Sequence, residues 1–261
     1  MVINNQEFIE QVKQLYLRAP GQVANIAFHK LESFLLESET QQLGEGDKRC
    51  LFAVRNNQLI FYYSEQKQHF LLPTELLRYL DFLVLHEDYY RLVSDSLLGF
   101  VADENCTLFY DQKFQPPLLT DQRYLVNDFD FQRDADFITA AEIITGTKTG
   151  YTVTPERVRR WTSDKAFDPS LWLLARDRQS GKAVGVGISC YYAPVREADL
   201  DWFFVDPRLQ GLGIGRMLIA ETVSRCLPKS DIIRLAGIAD GFYQKCGFQR
   251  GDKWFVVRKQ K

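Results

Sequence analysis

A glycine-rich turn at residues 210–215, Gln-Gly-Leu-Gly-Ile-Gly, is the feature that most restricts what this chain can fold into. It follows an apolar, β-like run that ends at Val205 and precedes an amphipathic segment that starts near Gly213. A strand–turn–helix unit of this kind leaves unpaired backbone N–H groups at a helix N-terminus, where the helix dipole favours an anion. Glycines also let a phosphate approach closely, because they carry no Cβ. The sequence therefore predicts a site for a phosphate-bearing cofactor.

Two common glycine loops do not fit this turn. A P-loop needs Lys-Ser or Lys-Thr after its last glycine, whereas Gly215 is followed by Arg216 and Met217. A dinucleotide-binding loop has the spacing Gly-x-Gly-x-x-Gly early in a βαβ unit, whereas the spacing here is Gly-x-Gly-x-Gly late in the chain. The alternative to a cofactor site is a tight turn into a helix with no ligand.

A second motif separates these alternatives. Gln210-x-x-Gly213-x-Gly215, preceded by Val205-Asp206-Pro207, resembles motif A of the GNAT superfamily of N-acetyltransferases. Residues 242–248, Phe-Tyr-Gln-Lys-Cys-Gly-Phe, resemble the second signature of that family, Tyr-x-Lys-x-Gly-Phe. The two motifs occur in the family's order, and the resemblance covers residues 123–261.

The resemblance implies a mixed αβ fold for the C-terminal half, with a central mixed sheet flanked by helices. Two domains are expected, with a boundary near Pro116-Pro117: residues 1–120 as an N-terminal α+β domain of unknown role, and residues 121–261 as the GNAT-like domain. The N-terminal domain is a candidate for a degenerate second copy of the same fold.

In the N-terminal half, apolar periodicity predicts a helix over residues 6–17 and a second over 22–37. Asn56-Asn57 is expected to join strands 51–55 and 58–63 as a hairpin, because asparagine tolerates a positive φ. Thr74 is expected to cap a helix that runs to Leu85. Residues 98–102 and 107–110 are expected to form another hairpin.

In the C-terminal half, the order of predicted elements follows the family. Thr154-Pro155-Glu156 marks a helix start, with a capping hydroxyl and a proline at the first helical position. The predicted helices cover residues 133–144, 155–163, 213–226 and 242–245, and the predicted strands cover 124–126, 171–175, 183–191, 198–205, 232–235 and 254–257.

Composition sets limits on partners and location. A hydrophobic fraction of 46%, a charged fraction of 25% and a net charge of −2 are typical of a soluble globular protein, so we expect no nucleic-acid partner. We expect no signal peptide and no membrane span, since Glu7 and Glu10 interrupt the first apolar residues and no long apolar run follows. Five scattered cysteines indicate a reducing, cytoplasmic location. A monomer or a homodimer is expected.

The histidines restrict the chemistry. All three lie at or before His86, so a Ser-His or Cys-His site within the C-terminal domain is excluded unless the N-terminal half supplies the imidazole. A histidine-rich metal site is not expected either, and the site should need no metal.

The resemblance implies acetyl-CoA as co-substrate, with its diphosphate on the backbone N–H groups of residues 211–216. The candidate cofactor-binding residues are Phe204, Val205, Gln210, Gly211, Leu212, Gly213, Ile214, Gly215 and Arg216. Family members often carry Arg where this chain has Gln210, and a basic residue where it has Leu212. Recognition should therefore depend on backbone N–H groups, with Arg208 or Arg216 supplying positive charge.

Acetyl transfer to an amine needs a group that removes a proton from the amine and a donor near the leaving sulfur. Tyr243 matches the family tyrosine whose hydroxyl points at the thioester sulfur, and a phenol with a pKa near 10 can donate at neutral pH. Asp199 and Asp201 are the candidate bases, and strand alternation predicts them on the face of Phe203 and Val205.

Other roles for the carboxylates near the glycine turn stay open. Asp199 stands where several members have glutamate and, being shorter, would act through a water. Glu197 is an alternative base, Asp206 is expected to belong to the turn, and each carboxylate can instead be a solvated or ion-paired side chain. Cys246 is expected to be a small buried residue.

Aromatic side chains are expected on elements that border the acceptor cleft in this fold, although core packing explains most of them. They are Trp161, Trp172, Tyr191, Tyr192 and Trp202. The leading hypothesis is an acetyl-CoA-dependent N-acetyltransferase that acts on a small amine or a protein amino group. The alternative is a non-catalytic acyl-CoA-binding sensor or interaction protein.

Overall fold

The computed structural model describes residues 4–67, 74–114, 123–147, 150–236 and 241–260. The chain forms two compact units. Unit 1 comprises residues 1–108, 236–238 and 250–261, and unit 2 comprises residues 109–235 and 239–249. The boundary predicted near Pro116-Pro117 lies outside the described residues and stays a prediction.

Unit 1 is α+β. Its helices are α1 (Asn5–Arg18), α2 (Pro20–Val23), α3 (Phe28–Leu36), α4 (Thr74–Tyr79) and α5 (Glu87–Val93). Its strands are β1 (Glu39–Leu43), β2 (Cys50–Arg55), β3 (Gln58–Ser64), β4 (Phe82–His86), β5 (Phe100–Tyr110) and, from the C-terminal end of the chain, β11 (Phe248–Lys259). They follow the order β1-β2-β3-β4-β11-β5. The last few residues of β5 and the first of β11 are assigned to unit 2.

Unit 2 is also a mixed sheet with helices. Its helices are α6 (Asp134–Thr145), α7 (Pro155–Arg160) and α8 (Ile214–Cys226), and its strands are β6 (Tyr124–Asp128), β7 (Phe167–Asp177), β8 (Ala183–Tyr192), β9 (Glu197–Val205) and β10 (Ile232–Ala236). The strand order is β10-β9-β8-β7-β6. Short 3₁₀ turns cover Trp161–Ser163, Pro207–Leu209 and Gln244–Cys246.

The two units repeat one topology. In each, helices precede an antiparallel three-strand meander, β1-β2-β3 in unit 1 and β7-β8-β9 in unit 2. The third strand of each meander then pairs in parallel with the next strand, β3 with β4 and β9 with β10, across a helical connection. This repeat agrees with the expectation that the N-terminal half is a second copy of the fold.

Hydrophobic packing covers both faces of the unit 2 sheet. On one face, α6 and α7 pack over Trp172, Leu174, Val186 and Ile188. On the other, Ile214 and Leu218 of α8 pack with Leu173, Ala175 and Phe203. Because neighbouring residues of a strand point to opposite faces, these two sets alternate along β7. The α8 face and the α6–α7 face are named accordingly below.

Several local predictions are confirmed. Helix α1 buries Phe8, Ile9, Val12, Leu15 and Tyr16, and its N-cap Asn4 accepts a hydrogen bond from the Gln6 N–H. Asn56 and Asn57 take φ values of 49° and 59° in the hairpin between β2 and β3. Thr154 caps α7 by accepting from the Arg157 N–H.

Other predictions in unit 1 are wrong because distant partners decide the structure. The helix predicted over 22–37 is interrupted between α2 and α3, where the Asn25 carbonyl accepts from the Thr107 hydroxyl at 3.2 Å. The helix from Thr74 stops at Tyr79, because residues 82–86 form β4 and pair antiparallel with β11.

The hairpin predicted within residues 98–110 is also wrong, because this segment is the single strand β5. Its polar residues Asp103 and Glu104 form ion pairs with side chains of β11, including Lys253–Glu104 at 3.2 Å. The final strand was expected to complete the C-terminal domain, but its residues 250–259 belong to unit 1.

Among the described helices, none is long and apolar enough to cross a membrane. The described part of the chain also holds no group of three or more His, Cys, Asp or Glu side chains placed to bind a metal ion.

Candidate functional site

The glycine turn leads from β9 into α8, as predicted. Gly211 and Gly213 have φ values of 81° and 83°, and a Cβ built on either would meet no atom within 4 Å. Glycine is therefore required by backbone conformation, since a left-handed L-residue costs roughly 1–2 kcal/mol. Gly213 is the N-cap of α8 and supplies no side-chain cap, so the first N–H groups of the helix face outward without one. This geometry suits an anion.

Gly215 has a different reason to be glycine. A Cβ here would lie 3.1 Å from the Phe242 ring and 3.7 Å from Val205. All three glycines were predicted to allow close approach of a phosphate. At Gly215 this prediction is corrected, because the missing Cβ lets Phe242 pack on the start of α8. The two sequence motifs therefore meet at the contact between Gly215 and Phe242.

The charges around the turn are distributed unequally. Arg208 forms an ion pair with Asp206 at 2.6 Å, and hydrogen bonds from the side chain and backbone of Arg208 lower the pKa of Asp206 to about 2. This pair neutralises the positive charge of Arg208. Arg216 lies in the first turn of α8, partly exposed, and the described residues place no carboxylate within 4 Å of it. Of the two arginines predicted to compensate for Gln210 and Leu212, Arg216 is the one left for an anion.

Backbone hydrogen bonds and a ring contact position Tyr243 in the second motif. The Tyr243 carbonyl accepts hydrogen bonds from the N–H groups of Cys246 at 2.9 Å and Phe248 at 3.0 Å. Its ring packs edge-on against Phe242, with centroids 5.1 Å apart. Gly247 ends the turn with φ 92°, and a Cβ there would lie 2.4 Å from Phe114. Cys246 is buried, as expected.

The predicted placement of Asp199 and Asp201 is wrong, because β9 contains a β-bulge. Ile188 pairs with Trp202, but the next residue of β8, Ser189, pairs with Leu200, so Asp201 is the extra residue. A bulge shifts the alternation by one position. Asp199 consequently lies on the α6–α7 face with Trp202 and Phe204, instead of the face of Phe203 and Val205. Asp201 is exposed at the bulge.

Asp199 belongs to a buried charge cluster that sequence reasoning missed. The parallel register places Arg234 of β10 beside Asp199. The Arg234 guanidinium lies 3.9 Å from an oxygen of Glu197 and 3.9 Å from an oxygen of Asp199. The three residues are 0%, 1% and 5% exposed for Arg234, Glu197 and Asp199. An arginine inside a short apolar strand was the available signal, because such a charge needs buried partners.

Strand β9 pairs with β10 only before the bulge. The register pairs residues 197–199 of β9 with 232–234 of β10, whereas β9 continues to Val205. The stretch from Trp202 to Val205 is partly exposed on both faces. The candidate site therefore consists of the N-terminus of α8, the end of β9 that extends beyond its pairing with β10, Tyr243, and the Asp199 cluster at the bulge.

Comparison with known proteins gives a family match for part of the chain. Residues 168–250, less than half of the chain, match the family model described as an acetyltransferase (GNAT) domain. The match includes both motifs, β8, β9 and α8, and so covers the elements of the candidate site. No curated protein matches the sequence.

Solved GNAT structures are similar over most of the chain. An acetyltransferase from the GNAT family of Colwellia psychrerythraea covers 100% of this chain and 99% of its own, at 13% identity and a TM-score of 0.64. A GCN5-related N-acetyltransferase from Sphaerobacter thermophilus covers 83% of this chain and 77% of its own, at 19% identity and a TM-score of 0.63.

A tandem GNAT protein from the clavulanic acid biosynthesis pathway covers 99% of this chain and 97% of its own, at 13% identity and a TM-score of 0.58. At these identities the likeness shows a shared fold alone. The fold of a tandem GNAT protein agrees with the repeated topology of units 1 and 2.

Proposed function

We propose that the chain transfers the acetyl group of acetyl-CoA directly to an amine, using a single site in unit 2. The observation that carries this proposal is the contact between Gly215 and Phe242. This contact places the N-terminus of α8, which we propose holds the diphosphate of the cofactor, next to the segment that contains Tyr243. Tyr243 is proposed to act at the thioester of the same cofactor.

Binding of acetyl-CoA would use backbone groups first. The N–H groups of residues 211–216 would hold the diphosphate, with Arg216 adding a charge-assisted contact. Phe204 and Val205 lie on the end of β9 that runs past β10, where backbone groups of the strand can pair with the amides of the pantetheine arm. The residues present fit the co-substrate.

The reaction requires two proton transfers. The amine nitrogen loses a proton, attacks the carbonyl carbon and forms an amide bond, while the carbon–sulfur bond breaks and the sulfur gains a proton. Tyr243 is assigned the donor role at the sulfur. Asp199, through a water, and the exposed Asp201 are the groups proposed to take the proton from the amine, with Glu197 next to them.

We expect no equivalent site in unit 1. The segment between β3 and α4, residues 65–73, contains no glycine. At the end of β3, the Tyr89 hydroxyl donates to the Ser64 carbonyl and accepts from the Ser64 N–H, both at 3.0 Å. The Tyr89 ring also packs edge-on against Tyr62 at 4.8 Å. This tyrosine occupies the place in unit 1 that corresponds to the β9–β10 edge, so we expect one acetyl-CoA per chain.

Calorimetric titration with acetyl-CoA, combined with release of free CoA thiol in the presence of an amine panel, tests the proposal. We expect one binding site per chain and thiol release that depends on the amine. Binding without release for every amine would favour the alternative, an acyl-CoA sensor. Two sites per chain would contradict the assignment of unit 1, and absence of binding at micromolar acetyl-CoA would contradict both functions.

The substitution Arg216→Gln is expected to weaken acetyl-CoA binding about fivefold to tenfold and to reduce its salt dependence, because one exposed cation–phosphate contact is lost. Calorimetry at two salt concentrations measures both effects. Arg208→Gln is the matched control: its charge is already neutralised by Asp206, so the dissociation constant should stay nearly unchanged. An equal loss in both variants would show that Arg216 has no specific contact.

A further inference from the structure

His86 is a buried histidine of unit 1 that the proposed reaction does not use. It ends β4 and is 4% exposed. In the antiparallel register it lies opposite Trp254 of β11, and the two rings meet edge-on with centroids 5.4 Å apart. Trp254 is itself buried and donates from its indole N–H to the Gly21 carbonyl at 2.8 Å. The imidazole therefore packs on the side chain that fixes β11 to α2.

The hydrogen bonds of His86 define its protonation state. Its Nδ1 accepts from the Asp88 N–H at 3.2 Å, which makes His86 the N-cap of α5. A ring nitrogen that accepts carries no proton, so the neutral imidazole has its proton on Nε2. Nε2 has no hydrogen-bond partner in the described part of the chain. The folded unit therefore contains the neutral, capping form of the ring.

Charged groups lie on both sides of the ring. An Asp88 oxygen of α5 is 3.4 Å from Nδ1, and an Asp252 oxygen of β11 is 3.9 Å from Nε2. Burial has the largest effect and lowers the pKa of His86 below the ordinary value of 6.5. The carboxylates of Asp88, Asp252 and Glu87 act in the opposite direction, and Lys67, which follows β3, acts with burial. The fold therefore favours the neutral ring.

The uncharged neighbour of the ring on α5 is Tyr89. Its ring meets the imidazole edge-on at 6.2 Å, and burial raises the pKa of its hydroxyl, so it stays neutral. The imidazole is thus enclosed by Tyr89 and Trp254, and only Asp88 and Asp252, both partly exposed, connect it to solvent.

This arrangement does not accommodate a protonated ring. Both nitrogens of an imidazolium are donors, so a protonated Nδ1 would face the Asp88 N–H instead of accepting from it. The cap of α5 would be lost, and the ring would have to leave its present position to pair with the carboxylates of Asp88 and Asp252. A charge there is also better hydrated than in the buried site. Any such movement disturbs the packing of Trp254.

We propose that His86 is a pH-sensitive switch of unit 1, which holds β11 on β4 when it is neutral and loosens this strand pair when it is protonated. The proposal is independent of the proposed acetyl transfer. Because the loosened form takes up its proton at a higher pH than the closed form does, closure is complete above about pH 6.5 and weakens as the pH falls below that value. One proton changes this equilibrium by at most about tenfold per pH unit.

Hydrogen–deuterium exchange of residues 254–258, measured by mass spectrometry on the full chain at pH 7.5 and pH 5.5, tests the proposal. After correction for the intrinsic pH dependence of exchange, we expect protection of these residues to fall about fivefold to tenfold at pH 5.5. Ordinary carboxylates and lysines keep their charges over this range, so the change reports an imidazole. Protection of β2, which is not a neighbour of β11 in the sheet, should stay the same.

His86→Asn is the matched variant, because asparagine is a strong N-cap residue and does not titrate. The pH dependence should vanish in it, and the comparison is made between two pH values of one variant, so a general loss of stability does not affect it. His86→Gln, which also does not titrate, is the second variant. His29→Asn is the control: it removes another buried histidine of unit 1 and should keep the wild-type pH dependence.

Equal protection of residues 254–258 at both pH values in the wild-type protein would overturn the proposal. Persistence of the pH dependence in His86→Asn and His86→Gln would overturn it too, because another group would then be responsible. An equal loss of protection in β2 would show that unit 1 unfolds as a whole, which contradicts a switch confined to β4 and β11.

Discussion

Replacing Tyr243 with phenylalanine is expected to lower kcat about a hundredfold, the order typical of a lost proton donor in the transition state. The ring and backbone should stay in place, because Tyr243 is held by two hydrogen bonds to its carbonyl and by edge contacts with Phe242 and Phe248. Only the hydroxyl is removed. Acetyl-CoA affinity should therefore remain close to that of the wild-type protein.

Steady-state release of CoA thiol measures the loss, and calorimetry with acetyl-CoA checks that binding persists. Tyr124→Phe is a matched control in the same unit: Tyr124 is 2% exposed, and its hydroxyl has no hydrogen-bond partner in the described part of the chain. A Tyr243→Phe variant with the kcat of the wild-type protein would show that the thiolate leaves without this donor, and the role of Tyr243 would be withdrawn.

The substitution Arg234→Met is expected to reduce the free energy of unfolding by about 3–5 kcal/mol, because it leaves two buried carboxylates without their shared cation. Arg234 is 0% exposed and has carboxylate oxygens of Glu197 and Asp199 at 3.9 Å. In a chain of this size, that loss corresponds to a fall in Tm on the order of 10 °C. Thermal and urea unfolding monitored by circular dichroism measure the change.

The triple variant Glu197→Gln, Asp199→Asn and Arg234→Met should recover much of this stability, since uncharged side chains leave no isolated charge in the sheet. Arg196→Met is the control, because it breaks a pair with Asp231 in which the side chains are 51% and 66% exposed, and such surface pairs contribute little. Equal effects of Arg234→Met and Arg196→Met, or no recovery in the triple variant, would contradict a stabilising charge cluster.

Local sequence signals predicted local structure well. Helix α1, the Asn56-Asn57 hairpin, the capped start of α7 and most strands of unit 2 follow from periodicity and turn chemistry. The predictions failed where contacts with residues distant in sequence determine the secondary structure. Residues 82–86 are extended because β11 pairs with them, and β5 runs through Asp103 and Glu104 because basic side chains of β11 neutralise them. In both cases the partner is β11, which lies more than a hundred residues away in the sequence.

For the candidate site, too, the prediction that rests on local sequence agrees with the structure, whereas the prediction that rests on strand alternation fails. The glycine turn was located from its residues and their spacing, and the Tyr243 segment from its resemblance to the second GNAT signature. The structure brings the two segments together through Gly215 and Phe242. The face of Asp199 was not predictable from alternation, because one inserted residue reverses it. A trace of the bulge exists in the sequence: acids alternate at 197, 199 and 201, and consecutive aromatic residues then follow from Trp202.

Strand β11 gives the chain an unusual order of assembly. Its residues 254–258 pair with β4, so a strand of unit 1 is encoded at the far end of the sequence. During synthesis, strands β1 to β4 leave the ribosome before unit 2, while β4 still lacks this neighbour. Unit 1 can therefore be completed only after translation has passed through unit 2 and reached residues 254–258.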